Sequence, residues 1–162
     1  MIRCLWVRFL HKLAQWAPGG SSLRPWLHRR RGVDIRGRVW ISQQVFIDDL
    51  HPENVTIHDN VTIGLRTSIV THLYWGPRRS DEEGAGKVVI ERDVFIGPHC
   101  VILPDVHIGE GAVIKAGTVV SRNVPPRVLW GHPQAEALAR VMVPLVPGQS
   151  YKGFAAGLRP LR

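Results

Sequence analysis

The chain has 162 residues and a net charge of +8 at pH 7, enough length for one domain with a sizeable core. Residues 1–40 hold nine basic side chains against Asp34 alone, while the rest carries twelve of each sign, so the whole net charge belongs to the N-terminal segment. Two cysteines exclude a disulfide framework, no apolar run reaches the roughly 20 residues needed to span a bilayer, and the chain lacks the aromatic-studded sheet or helical motif of a nucleic-acid binder. The same charge suits a phosphate-bearing cofactor, an anionic glycan or an acidic membrane surface.

Residues 2–16 predict a helix: Ile2, Leu5, Trp6, Phe9, Leu10, Leu13 and Trp16 follow i, i+3, i+4 spacing, and Pro18-Gly19-Gly20 stops it. Such a helix either lies on a membrane through residues 1–20 or packs its apolar stripe on the open end of the next element, which is the expected arrangement because the end of a repeat array needs a cap. Arg3, Arg8 and Lys12 interrupt the start too often for a secretory segment, which points to a cytoplasmic protein. A second short helix is expected from Leu23 to Arg31, closing an N-terminal segment of residues 1–32.

From residue 33 a period of six takes over. Ile35, Ile41, Ile47, Ile57, Ile63, Ile69, Ile90, Ile96, Ile102, Ile108, Ile114 and Val120 share one slot, with a second small or β-branched residue two positions before each. Six is neither a helical period nor that of an ordinary strand. It marks a hexapeptide parallel β-helix, an all-β solenoid of about four coils with three faces each, running to 126 where Pro125-Pro126 ends it. Cys100 falls in an inward slot and reads as core. Beyond 126 the sequence predicts a helix over 134–142 and a basic tail anchored by Tyr151 and Phe154.

The rhythm breaks twice. Ile57 follows Ile47 by ten residues and Ile90 follows Ile69 by twenty-one, so both insertions leave from the same corner of successive coils. Aligning that corner stacks Asp48, Asp49 and Leu50 beneath Val70, Thr71 and His72, with Leu103, Pro104 and Asp105 above. His72 then emerges at the base of loop 70–89 among Asp48, Asp49 and Asp105. Imidazole is the side chain suited to proton abstraction near neutral pH, and a carboxylate on one ring nitrogen fixes the tautomer so that the other accepts. Within the loop, Tyr74 and Trp75 could stack on a sugar ring or pin the loop to a neighbouring subunit.

The run Val94 to Pro126 resembles the closing coils of the hexapeptide-repeat O-acetyltransferases, which include the maltose and galactoside enzymes and those that decorate bacterial surface polysaccharides. The resemblance rests on Ile96-Gly97-Pro98-His99, Ile108-Gly109-Glu110-Gly111 and Ala116-Gly117-Thr118-Val119-Val120-Ser121-Arg122, and extends upstream through Ile47-Asp48-Asp49 to Thr71-His72. It implies a left-handed β-helix, a homotrimer with active sites between subunits, acetyl-CoA as donor and no metal. It also implies His72 as the base for direct transfer to a hydroxyl, with Pro98, Ala116, Gly117, Ser121 and Arg122 on coenzyme A. Asp105 replaces a common turn glycine, and Pro98 a common serine or alanine. Gly131-His132-Pro133-Gln134-Ala135 looks like the family's Gly-x-Pro-Ala box with one insertion. The acceptor this implies is a saccharide or surface-glycan precursor. Serine- or antibiotic-type acceptors and a non-catalytic scaffold are the alternatives, and the three-histidine zinc site of a γ-type carbonic anhydrase lacks its His-x4-His pair.

Overall fold

In the computed structural model, residues 2–72, 86–133, 137, 139–144, 146–148 and 150–160 are described. Helices α1 (Ile2–Trp16) and α2 (Leu23–Arg30) come first. Twelve short strands then wind through four coils. The first coil holds β1 (Asp34–Ile35), β2 (Val39–Ile41) and β3 (Phe46–Ile47), the second β4 (Val55–Ile57), β5 (Val61–Ile63) and β6 (Ser68–Ile69). The third holds β7 (Val88–Ile90), β8 (Phe95–Ile96) and β9 (Val101–Ile102), the fourth β10 (Val106–Ile108), β11 (Val113–Ile114) and β12 (Val119–Val120). Like strands of successive coils pair in parallel, giving the three sheets of a left-handed β-helix.

The six-residue period acts through burial and through the backbone. Every slot isoleucine lines one continuous core with Val55, Val61, Val88, Cys100 and Ala112, each large aliphatic contributing about 1.5–3 kcal/mol on leaving water. Three residues before the slot, Gln44, Asn60, Arg66, Asp93, His99 and Asp105 all have φ between 56° and 61°. That left-handed residue makes the corner, and Asn and Asp tolerate it better than most. Tight stacking at one corner demands glycine: a Cβ on Gly97 would lie 2.6 Å from the Ala116 nitrogen.

Coils are joined by a repeating bond in which the N–H after each slot donates to the slot carbonyl of the next coil, as in Arg36 to Ile57, Ser42 to Ile63 and Asp48 to Ile69. The first coil has no coil before it, so the carbonyls of Ile35, Ile41 and Ile47 lack that donor. Arginines supply it. Arg29 Nε donates to Ile35 O (3.1 Å), Arg24 Nε to Ile41 O (2.7 Å) and Arg31 Nη2 to Ile47 O (2.5 Å), one guanidinium for each face of the prism. An exposed sheet edge invites further pairing; here three of the N-terminal basic residues close it, two of them, Arg24 and Arg31, buried.

Three expectations change. The helix α1 does cap the first coil, but with Leu10, His11, Ala14 and Ala17, while Leu5, Trp6, Phe9, Leu13 and Trp16 face outward. The small stripe wins because the helix backbone comes close enough for Gln15 O to accept from Gln44 N–H at 2.9 Å. Second, Pro125-Pro126 does not end the solenoid. Val124 bridges to Ile108, and β13 (Leu129–Trp130) pairs with β11, because the prolines occupy a corner where no ladder N–H is lost.

Third, residues 139–141, inside the expected 134–142 helix, form strand β14 (Ala139–Val141). Residues 133–162 are a separate compact unit, in which β14 pairs antiparallel with β15 (Leu158–Pro160). Its helix is α3 (Tyr151–Ala156), N-capped by Ser150, whose hydroxyl accepts from Gly153 N–H. The strand pairing of 139–141 overrides a local helical pattern too short to stand alone. Tyr151 and Phe154 face each other at 6.0 Å, and Tyr151 is 72% exposed, so among the described residues it is not a buried anchor.

Candidate active site

Asp48 opens the first insertion directly after β3, and its carboxylate is fully buried. Oδ1 accepts from Leu50 N–H (2.9 Å) and His51 N–H (3.0 Å), fixing the turn into the 3-10 segment Pro52–Asn54. Oδ2 accepts from Thr71 N–H of the coil above (2.9 Å) and lies 2.5 Å from His72 Nδ1. One side chain therefore ties both insertions together at the shared corner. Burial alone would push this carboxyl up, but the N–H groups of His51, Thr71 and Leu50 outweigh it and hold it at about 2.

An ionised carboxylate can only accept, so the proton between Asp48 and His72 resides on Nδ1. The neutral ring then presents Nε2 as an acceptor, the tautomer a general base requires. His51 stands edge-on to His72 at 6.1 Å.

The three carboxylates expected around His72 separate into different tasks. Asp48 makes the histidine contact. Asp49 faces Arg8 of α1, 3.7 Å away. Asp105 is a corner residue with φ 61°, and its Oδ1 accepts from Gly86 N–H at 2.6 Å, where the long loop rejoins the solenoid. Tyr74 and Trp75 lie outside the described residues.

One group went unnoticed in the sequence. Arg31, 3% exposed, donates through Nη1 to the Asp48 carbonyl (2.6 Å) as well as to Ile47 O, and through Nε to His28 Nδ1 (3.0 Å). Burial pulls its pKa down to about 10 against the raising effect of Asp48 and Asp49. Arg31 thus fixes the backbone from which Asp48 projects. In the sequence Arg31 counts only as part of the N-terminal charge that suits an anionic partner. The available signal was helical phase, since Arg24, Leu27, His28 and Arg31 share a face.

The positions expected on coenzyme A lie on the third and fourth coils. Gly117 has φ 72°, donates its N–H to Pro98 O at 2.9 Å and has open space where a Cβ would stand, so the need for glycine is conformational. Pro98 and Ala116 are exposed at stacked corners. Ser121 and Arg122 line an open depression of about 290 Å³ with Thr118, Trp130 and His132. The Arg122 guanidinium lies 5.2 Å from the Trp130 ring centroid, so its charge rests on an aromatic face.

Comparison with known proteins agrees with this architecture. The family model "Bacterial transferase hexapeptide (six repeats)" matches residues 87–122. The chain is 36% identical over 121 residues to the "Putative acetyltransferase YvoF" of Bacillus subtilis, covering 74% of this chain and 67% of that one. It is 38% identical over 77 residues to the galactoside O-acetyltransferase of Escherichia coli, spanning 48% of this chain and about a third (36%) of that enzyme. A hexapeptide-repeat-containing acetyltransferase from Vibrio cholerae superposes with a TM-score of 0.61 at 26% identity, over 77% of this chain and 82% of that one. The same Vibrio protein complexed with acetyl-CoA gives 0.58 at 27% identity, over 77% and 79%.

Proposed function

This chain belongs to the hexapeptide-repeat acetyltransferases, and from that premise we propose that it transfers the acetyl group of acetyl-CoA to a hydroxyl of a saccharide or surface-glycan precursor. The observation that carries the reading is the 2.5 Å contact between His72 Nδ1 and Asp48 Oδ2. In the tautomer this contact fixes, Nε2 is the ring nitrogen that takes the proton of the acceptor hydroxyl. The acceptor oxygen attacks the thioester carbonyl, the C–S bond breaks, and the departing sulfur receives the proton from His72 Nε2. No acyl-enzyme is formed. Asp48 stays ionised throughout and offsets the positive charge that His72 carries between the two proton transfers.

Acetyl-CoA supplies an activated acyl group with a thiolate leaving group. The depression beside Ser121, Arg122 and Trp130 fits an extended, phosphate-bearing chain: a hydroxyl, a guanidinium for a phosphate and an indole face. The relative bound to acetyl-CoA supports that assignment. The galactoside relative supports a sugar hydroxyl as the acceptor.

The working unit is a homotrimer in the cytoplasm. Its support here is an outward, largely apolar column on the second sheet, in which Trp40, Thr62, Phe95, Val113 and Leu129 stand in register across its five strands. Trp40 and Leu129 are 48% and 68% exposed within one chain, and subunit contact would cover them. The test of function is a panel of monosaccharides, nucleotide sugars and glycan fragments with acetyl-CoA, read by thiol release and product mass. Acetyl ester on a sugar is expected. Transfer to serine or an amine alone would overturn the saccharide assignment.

A further inference from the structure

We propose that α1 docks the protein on an anionic membrane surface, so that the His72 corner meets a lipid-linked saccharide. The membrane part stands on the helix itself; the acceptor part rests on the acetyltransferase reading above.

The helix presents two separate stripes. Leu10, His11, Ala14 and Ala17 are at most 5% exposed and form the side packed against α2 and the first coil. Leu5, Trp6, Phe9, Leu13 and Trp16 occupy another face and are 65, 56, 59, 45 and 67% exposed. Trp6 and Phe9 stack at 6.1 Å, forming a continuous aromatic surface. Exposed Arg8 and Lys12 flank it, and neither α1 nor α2 contains an acidic residue. The second helix exposes Leu23 and Trp26, with Arg30 lying 5.2 Å over the Trp26 ring.

Large apolar faces on a protein surface mark an interaction site. Trp, Phe and Leu on one face with Lys and Arg beside them is the composition of a helix that lies in the headgroup region of a bilayer, where tryptophan prefers to sit. At 15 residues α1 is too short to span, and among the described residues no helix is long and apolar enough to cross a membrane. Charge selects the occupant. A second copy would bring the same basic segment against itself, whereas anionic lipid complements it.

The place of the helix gives docking a consequence. His11 packs edge-on against Phe46 of β3 at 4.9 Å, two residues before Asp48, and Arg8 reaches Asp49. The docking helix therefore borders the corner that holds His72. A hydroxyl presented on a lipid carrier at the membrane surface would meet the base without leaving the bilayer.

The test uses the full-length protein and vesicles of 70% phosphatidylcholine and 30% phosphatidylglycerol against phosphatidylcholine alone. Wild type should co-sediment with the anionic vesicles at least tenfold more strongly, with a blue shift in tryptophan emission and release at high salt. The variant Trp6→Ser/Phe9→Ser/Leu13→Ser should lose at least tenfold in binding while keeping its melting temperature, oligomeric state and activity on a soluble acceptor. On a lipid-linked acceptor in vesicles, wild type should outpace the variant; on the free saccharide the two should match. No vesicle binding by wild type, equal binding by the variant, or a change in oligomeric state on substitution overturns the docking claim. Vesicle binding without acetylation of any saccharide would sink the acceptor reading and leave docking standing.

Discussion

Replacing Arg31 by methionine tests how the N-terminal segment holds both the solenoid and the candidate site. The change keeps side-chain length and removes three donations: to Ile47 O at 2.5 Å, to Asp48 O at 2.6 Å and to His28 Nδ1 at 3.0 Å. Stranding a buried acceptor costs about 1–3 kcal/mol each, so the gross loss is about 6 kcal/mol. Against it stands the relief of a buried charge. A guanidinium pulled from 12.5 to about 10 has lost roughly 3 kcal/mol of preference for its charged form. The net expectation is a destabilisation of about 3 kcal/mol, or roughly 6–12 °C in melting temperature for a chain of this size. Circular dichroism melts and urea titrations at fixed protein concentration measure it. Arg31→Lys, which can reach one carbonyl, should fall between the two. A loss below about 0.5 kcal/mol would show that water satisfies these carbonyls and that the arginine cap is not what closes the first coil.

Three further outcomes are expected. Asp48→Asn, which offers an amide donor where His72 Nδ1–H needs an acceptor, should lower kcat by about 10²-fold or more with little change in KM for acetyl-CoA; steady-state kinetics decide it. Burial holds His28 well below 6.5 and His11 at about 4, so between those values the unfolded chain binds protons that the native one does not. Stability therefore falls as pH drops from 7, by about 2 kcal/mol at pH 5 from His11 with His28 acting in the same direction, and Asp48 adds a further loss only as pH falls from about 4 towards 2; unfolding titrations across pH 3–8 check both limbs. Gly97→Ala, forcing a Cβ to 2.6 Å from the Ala116 backbone, should cost about 1–3 kcal/mol in the same melts.

The solenoid was legible because one constraint repeats. Every coil buries the same slot, so a period of six survives variation elsewhere, and counting in threes put both insertions at the corner where Asp48 and His72 meet. What the count could not decide was which carboxylate bonds the histidine. That depends on where each side chain finds its other partners: Asp48 has two turn N–H groups and the Thr71 N–H of the next coil, Asp49 has Arg8, and Asp105 has Gly86. The role of the arginines is hidden in the sequence for a related reason. Composition assigns charge to solvent or to an external anion, whereas Arg24, Arg29 and Arg31 serve an edge that exists only once the first coil is folded. The stripe of α1 shows the reverse failure: periodicity found the apolar face, but Ala14 and Ala17 permit the closer approach. At Pro125-Pro126, a stop signal valid for ordinary strands fell at a corner that needs no donor.

His72, oriented by ionised Asp48, is proposed to remove the acceptor proton. The measurement that bears on it most directly is single-turnover acetyl transfer by His72→Ala and His72→Gln, at saturating acetyl-CoA and acceptor, alongside the acetyl-CoA Kd. A fall in rate of about 10²–10⁴-fold with Kd unchanged is expected. Transfer at close to the wild-type rate would contradict it.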